Sequence, residues 1–142
     1  MERPLSSGHE IRNPKALAAP TGFSHVVIAR PGRTIYLAGQ TAQRPDGSLA
    51  EGGLVEQFEL AAANVVTALS DAGARPDDLV SLQIFVTDIA EYLSSRKQIR
   101  EAYRKHFGNH YPAMALLEVR RLFDPAAKVE LMGIAVTSSP EA

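Results

Sequence analysis

"AAANVVTALSDAGARPDDLVSLQIFVTDI", residues 61–89, changes its apolar period part-way along, and that change decides the fold class. From Leu54, the residues Val55, Phe58, Ala62, Val65, Val66, Leu69 and Ala72 recur at three- and four-residue steps, which predicts an amphipathic helix. Gly52 and Gly53 precede it, Gly73 ends it, and Pro76 lies just beyond. "LVSLQIFVT" then alternates with period two, placing Val80, Leu82, Ile84 and Val86 on one face of a strand. Asp88 followed three residues later by Glu91 has the form of a capping box, so a second helix is expected to run to about Phe107. Gly108 and Asn109 are its stop signals.

Working outward, "SHVVIAR", "PGR" and "TIYLAGQ" (residues 24–40) read as two strands joined by a tight turn, a hairpin. "RPDGS", residues 44–48, is a turn with Asp46-Gly47 at its tip. Two further strands are expected at roughly 113–120 and 128–137, separated by "LFDPAA". The order β-β-α-β-α-β-β predicts an α+β domain, a mixed sheet with both helices packed on one face. The opposite face would then be a large exposed patch, and self-association is the simplest way to cover it. A single domain over 21–137 is expected, with an irregular arm at 1–20 and a frayed tail at 138–142.

The chain of 142 residues is 45% apolar and 22% charged, with a net charge of -1, values ordinary for a globular protein. That balance supplies no global attraction to nucleic acid or to an anionic membrane. Cysteine is absent, which removes disulfides, thiolate metal sites and a cysteine nucleophile. No stretch approaches the ~20 apolar residues of a membrane span, and the first 20 residues lack the apolar core of a secretory signal. A cytoplasmic protein is expected by elimination.

Glu130 is the residue most suggestive of chemistry. Strand alternation places it on one face with Met132, Ile134 and Val136, and a carboxylate in an apolar row is costly unless paired. Burial there would suit acid/base work; a place near solvent at the strand end, or an arginine from another subunit, would make it structural. Arg96, Arg100 and Arg104 form one stripe of the second helix, able to grip carboxylates or phosphates or simply to face solvent. His9, His25, His106 and His110 show no metal-ligand spacing, and neither a phosphate loop nor a G-x-S-x-G elbow is present.

"IYLAGQTA", "AAANVVTALSDAGARPDDLVSLQIFVTDI", "YPAMALLEV" and "KVELMGIAV", in this order and spacing, resemble the RidA (YjgF) family of reactive-intermediate deaminases. The resemblance runs from about Gly22 to Val136. It implies a chorismate-mutase-like fold assembled as a homotrimeric barrel, with small-molecule clefts between subunits. It also implies hydrolysis of reactive imines and enamines, such as 2-iminopropanoate, to an oxo acid and ammonia without metal or organic cofactor.

Carried over by position, the resemblance makes Glu130 the residue that positions the hydrolytic water, and Leu116 the source of a backbone amide. Where deaminating members read P-A-R-S, this chain reads Pro112-Ala113-Met114-Ala115, so the arginine fork that grips a substrate carboxylate is Met114. The P-Y-S-Q of the family matches Gly22-Phe23-Ser24-His25, losing a tyrosine hydroxyl at Phe23. The S-G-Q turn is Ala38-Gly39-Gln40, losing another. An asparagine on the second helix is matched by Arg100, which could supply the lost cation.

Three functions follow from this set. The first is an imine or enamine hydrolase of altered specificity, its cleft lined by Met114, Phe23 and Leu116 and suited to a more apolar substrate. The second is a metabolite-binding or regulatory trimer without chemistry. The third, RNA cleavage or translation inhibition, is disfavoured by the near-neutral charge and the lack of an aromatic RNA-binding platform.

Overall fold

A computed structural model describes residues 8–138 of the chain. Six strands and three α-helices follow in the order β1 (Glu10–Arg12), β2 (Val26–Ile28), β3 (Arg33–Tyr36), α1 (Leu54–Asp71), β4 (Leu79–Val86), α2 (Ile89–Ser94), α3 (Arg96–Phe107), β5 (Ala113–Glu118) and β6 (Val129–Thr137). The main sheet has four strands in the order β3-β6-β4-β5. β6 is antiparallel to both of its neighbours, while β4 and β5 are parallel and joined through α2 and α3. A parallel pair needs such a crossover, since no short turn can reverse the chain twice. The expected α+β class with a mixed sheet is therefore present.

The period change read at residues 61–89 marks the real boundary between helix and strand. Leu54, Phe58, Ala61, Ala62, Val65 and Leu69 are buried along α1, and Leu82, Ile84 and Val86 are buried along β4. These join Leu131 and Ala135 of β6 and Ile99, Tyr103 and Phe107 of α3 in one core between sheet and helices. At the start of β4 the register shifts between Leu79 and Ser81, so Leu79, and not Val80, is the fully buried residue there.

Two expectations about local structure are corrected. The second helix is two: α2 ends at Ser94 and α3 begins at Arg96, with Ser95 at φ -106° and ψ 14° between them. Asp88 does cap α2, accepting from the Glu91 N–H at 3.1 Å, but the Glu91 side chain pairs with Lys128 instead of completing a capping box. The hairpin over residues 24–40 does not form. Ser24 bridges Ala113 at the outer edge of β5, whereas Arg33 pairs with Thr137 at the opposite edge of the sheet. The intervening chain must cross the width of the sheet, so β2 and β3 cannot be neighbours. Gly32 permits the arrival at β6, because a Cβ there would stand 2.4 Å from the Thr137 carbonyl oxygen.

β2 pairs instead with β1, so the arm expected to be irregular contains a strand at residues 10–12. His9 ties this ribbon to the main sheet: its Nε2 donates to the Val136 carbonyl at 2.8 Å, and its Nδ1 accepts from the Arg30 N–H at 2.9 Å. The arm's residues 1–7, and the expected tail apart from Ser138, lie outside the described residues.

Tyr103 links the core to the entry of β5. Its ring stacks on Tyr111 at 5.2 Å, and its hydroxyl donates to the His110 carbonyl at 2.6 Å. Burial raises its phenol far above the ordinary tyrosine range. A raised phenol contributes stability in full below the unfolded value of about 10, and that contribution is lost as pH rises above it. Urea midpoints measured between pH 8 and 11 are therefore expected to fall more steeply for the native chain than for Tyr103→Phe.

Candidate functional site

The parity of β6 sorts its side chains. Val129, Leu131 and Ala135 are buried against the helices, whereas Glu130, Met132 and Ile134 face the other side of the sheet. That face is open in the single chain: Met132 is 39% exposed, and Tyr36 on β3 is 78% exposed. Glu130 sits half-buried on it, and no hydrogen bond or ion pair joins its carboxylate to another described residue. Its register partner on β4 is Phe85, and the partner of Phe85 on β5 is Leu117. Carboxylate, aromatic ring and aliphatic side chain therefore form one row across three strands.

The other flank of Glu130 is the Ala38-Gly39-Gln40 segment. A Cβ at residue 39 would lie 2.6 Å from Glu130 Oε2 and 2.7 Å from its carboxyl carbon, so only glycine leaves room for the carboxylate where it stands. Gln40 locks the segment to β6 through paired backbone hydrogen bonds with Leu131, at 2.7 and 2.9 Å.

Two amides on α1 hold the surroundings of Glu130 in place. Gln57, 3% exposed, donates through Nε2 to the Ala126 carbonyl at 3.1 Å and accepts at Oε1 from the Lys128 N–H at 2.8 Å. Asn64, two helical turns later, donates through Nδ2 to the carbonyls of Thr41 and Gln43 at 2.9 and 3.0 Å. One amide fixes the chain entering β6, and the other fixes the chain leaving the Gly39 segment.

A second group of expected site residues gathers at the edge formed by β5. The Ser24 N–H donates to the Pro112 carbonyl at 3.0 Å and its hydroxyl to the Tyr111 carbonyl at 2.6 Å, which brings the Phe23 segment alongside Met114. Phe23 meets His25 edge to face at 5.1 Å. Met114 shares its register with Leu82 and packs on the core, on the helix side of the sheet. The Val119 N–H donates to Val86 at 2.8 Å, so alternation turns the Leu116 N–H away from β4, toward the free edge.

The expected residues thus fall into two groups: Phe23, Met114 and Leu116 at one edge, and Ala38, Gly39, Gln40 and Glu130 around β6. Met114 and Glu130 are two strands apart, about 10 Å in the sheet direction, and point to opposite faces. One chain does not bring them together. Arg100 joins neither group: with Arg96 and Arg104 it is exposed on α3. Among the described residues, no cluster of three His, Asp or Glu side chains is placed to hold a metal ion. His110 donates to the Leu79 carbonyl at 2.7 Å, and His106 lies 3.6 Å from Glu59, whose carboxyl Lys105 holds below its ordinary range.

Residues 13–137 match the family described as Endoribonuclease L-PSP. The chain belongs to that family, the RidA (YjgF) proteins. It is 32% identical over 127 residues to the 2-iminobutanoate/2-iminopropanoate deaminase of Capra hircus, covering 89% of this chain and 88% of the goat protein. Among solved structures, YyfB, of the conserved Rid family in Yersinia pestis, superposes with a TM-score of 0.80 at 30% identity, covering 90% of this chain and 98% of YyfB. RidA from the Antarctic bacterium Psychrobacter superposes with a TM-score of 0.64 at 28% identity, covering 89% and 97%. At nearly equal identity, the backbone of this RidA-family chain follows YyfB more closely.

Phe85, Gln57 and Asn64 were not singled out in the sequence. Phe85 had a signal, since the strand whose core face carries Leu82, Ile84 and Val86 must present Gln83 and Phe85 on the other face. The two amides had none, because nothing local distinguishes them from other polar residues of an amphipathic helix.

The Gly39 contact makes one clear expectation. A crystal structure of Gly39→Ala should show the Glu130 carboxylate swung away from residue 39, with the backbone pairing of Gln40 and Leu131 intact. An unmoved carboxylate would mean that the segment gives way instead.

Proposed function

We propose that this protein hydrolyses reactive imines or enamines to a carbonyl compound and ammonia, on substrates other than those recognised through an arginine. The observation that carries this reading is Glu130, a carboxylate without a partner among the described residues, standing where a Cβ at residue 39 would displace it. A free carboxylate on a fixed strand can accept a proton from water while that water attacks the C=N carbon. The proton then passes from Glu130 to nitrogen, and the carbinolamine collapses to the carbonyl with loss of ammonia. The Leu116 N–H at the free edge is a backbone donor available to substrate, and it survives any change of side chain. The relationship to a protein named 2-iminobutanoate/2-iminopropanoate deaminase supports the same chemistry.

Met114 supports altered specificity. A thioether offers no hydrogen-bond donor, so the bidentate grip on a carboxylate is lost with the arginine. A metabolite-binding protein without turnover is the second reading, favoured by Met114 and Phe23 together. RNA cleavage has the exposed arginine stripe of α3 as its support and the net charge of -1 against it.

Each site is proposed to lie between two copies of the chain in a cytoplasmic homotrimer. Two features support this: the two residue groups face opposite sides of one sheet, and the face bearing Met132 and Tyr36 is exposed in the single chain. Light scattering at micromolar concentration is expected to give three times the chain mass of 15.3 kDa. A monomer would remove the proposed cleft.

Ammonia release from freshly generated imines tests the activity. Glu130→Gln keeps the shape but cannot accept a proton, and is expected to slow turnover by about 10²- to 10⁴-fold. Ligand binding retained without turnover in either protein would favour the second reading.

A further inference from the structure

The open face of the four-stranded sheet carries Tyr36, Gln83, Phe85, Leu117, Met132 and Ile134 around Glu130. Glu130 is the one formal charge among the described strand positions of that face: Arg33 and Glu118 belong by parity to the helix side, where Arg33 reaches the Ala72 carbonyl and Glu118 caps Ile89. A copy of the same chain laid over this face adds the same side chains, and so no cation from the sheet. An anionic substrate would meet a carboxylate that no charge on this sheet face offsets, at a cost that rises as water is excluded. A cationic one would meet its complement.

The neighbour of Glu130 sharpens this. Phe85 stands directly opposite on β4, in an antiparallel pair whose Cβ atoms lie about 5 Å apart. A carboxylate beside an aromatic ring can bind a cation held over the ring's face, since the ring quadrupole and the anion attract the same charge. We propose that Glu130 and Phe85 form a subsite for a protonated, carboxylate-free imine, the iminium ion that arises when a primary amine is oxidised. This rests on the hydrolase reading above and names its substrate class.

The reaction balances as R–CH=NH2⁺ plus water giving R–CHO and NH4⁺. Glu130 takes one proton from water as its oxygen bonds to carbon, then returns that proton to nitrogen. The carbon–nitrogen bond breaks, and the hydroxyl proton leaves with ammonia as ammonium. Leu117, next in the row, would take the apolar chain of R.

A matched pair of substrates tests it. A flavin amine oxidase acting on butylamine generates butan-1-imine, and an amino-acid oxidase acting on norvaline generates 2-iminopentanoate, the same chain bearing a carboxylate. Imine lifetime is read by trapping with semicarbazide, with and without the protein. Native protein is expected to hydrolyse butan-1-imine at least about tenfold more efficiently than its carboxylated counterpart. Phe85→Leu, which keeps the bulk but removes the ring's attraction, should lower that efficiency by about 3- to 30-fold. Preference for 2-iminopentanoate, or an unchanged rate in Phe85→Leu, would overturn the proposal and leave the hydrolase reading standing. If neither imine is hydrolysed faster than in buffer, the hydrolase reading falls. Calorimetry with butylammonium and butyrate then decides the subsite: butylammonium binding that Glu130→Gln abolishes upholds cation recognition, and its absence in the native protein rejects it.

Discussion

The alternation of side chains along β6 is the constraint on which the rest of the molecule depends. This strand lies between β3 and β4 and takes part in two of the three pairings in the main sheet. Its odd-numbered residues close the core beneath α1, and its even-numbered residues carry Glu130 onto the open face. A slip of one residue in either pairing would drive a carboxylate into a hydrocarbon core and lift Leu131 into solvent. Burying an unpaired charge costs several kcal/mol, comparable to the whole stability of a small domain. The register is therefore enforced by the same residue that gives the open face its charge.

Around that strand, polar groups are spent on position. Gln57 and Asn64 face opposite ends of the functional region from one helix, and each satisfies backbone groups that would otherwise be stranded beneath loops. Hydrogen bonds of this kind add about 1 kcal/mol each, yet leaving their partners unmet costs about 1–3 kcal/mol. Their effect is to make both chain segments beside Glu130 extensions of α1 rather than free loops. Gly39 completes the arrangement by absence: a carboxylate can stand against its Cα because no side chain is there.

The chain shares the family's backbone, and on it stand Glu130 on the open face of the sheet and Met114 on the helix side. Met114 packs on the core from the helix side and Leu116 lines a free edge, so the β5 group with Phe23 is uniformly apolar. The formal charge on the open face is negative and sits beside an aromatic neighbour, Phe85.

By itself the sequence determined the class of fold, because periods of 3.6 and 2 are local properties of a chain and change visibly between Ala72 and Leu79. It also determined the caps at Asp88 and Gly108 and the face that Glu130 shares with Met132 and Ile134, all set by near neighbours. It did not determine which strands pair. Residues 24–40 have every local mark of a hairpin, yet β3 finds β6, a hundred residues away, since that pairing buries Ile35 against the core. Nor could it separate the site residues into two groups on opposite faces, or set Phe85 opposite Glu130. Those facts are matters of register between distant strands, and register is decided by which side chains the assembled core can bury, a quantity that exists only in three dimensions.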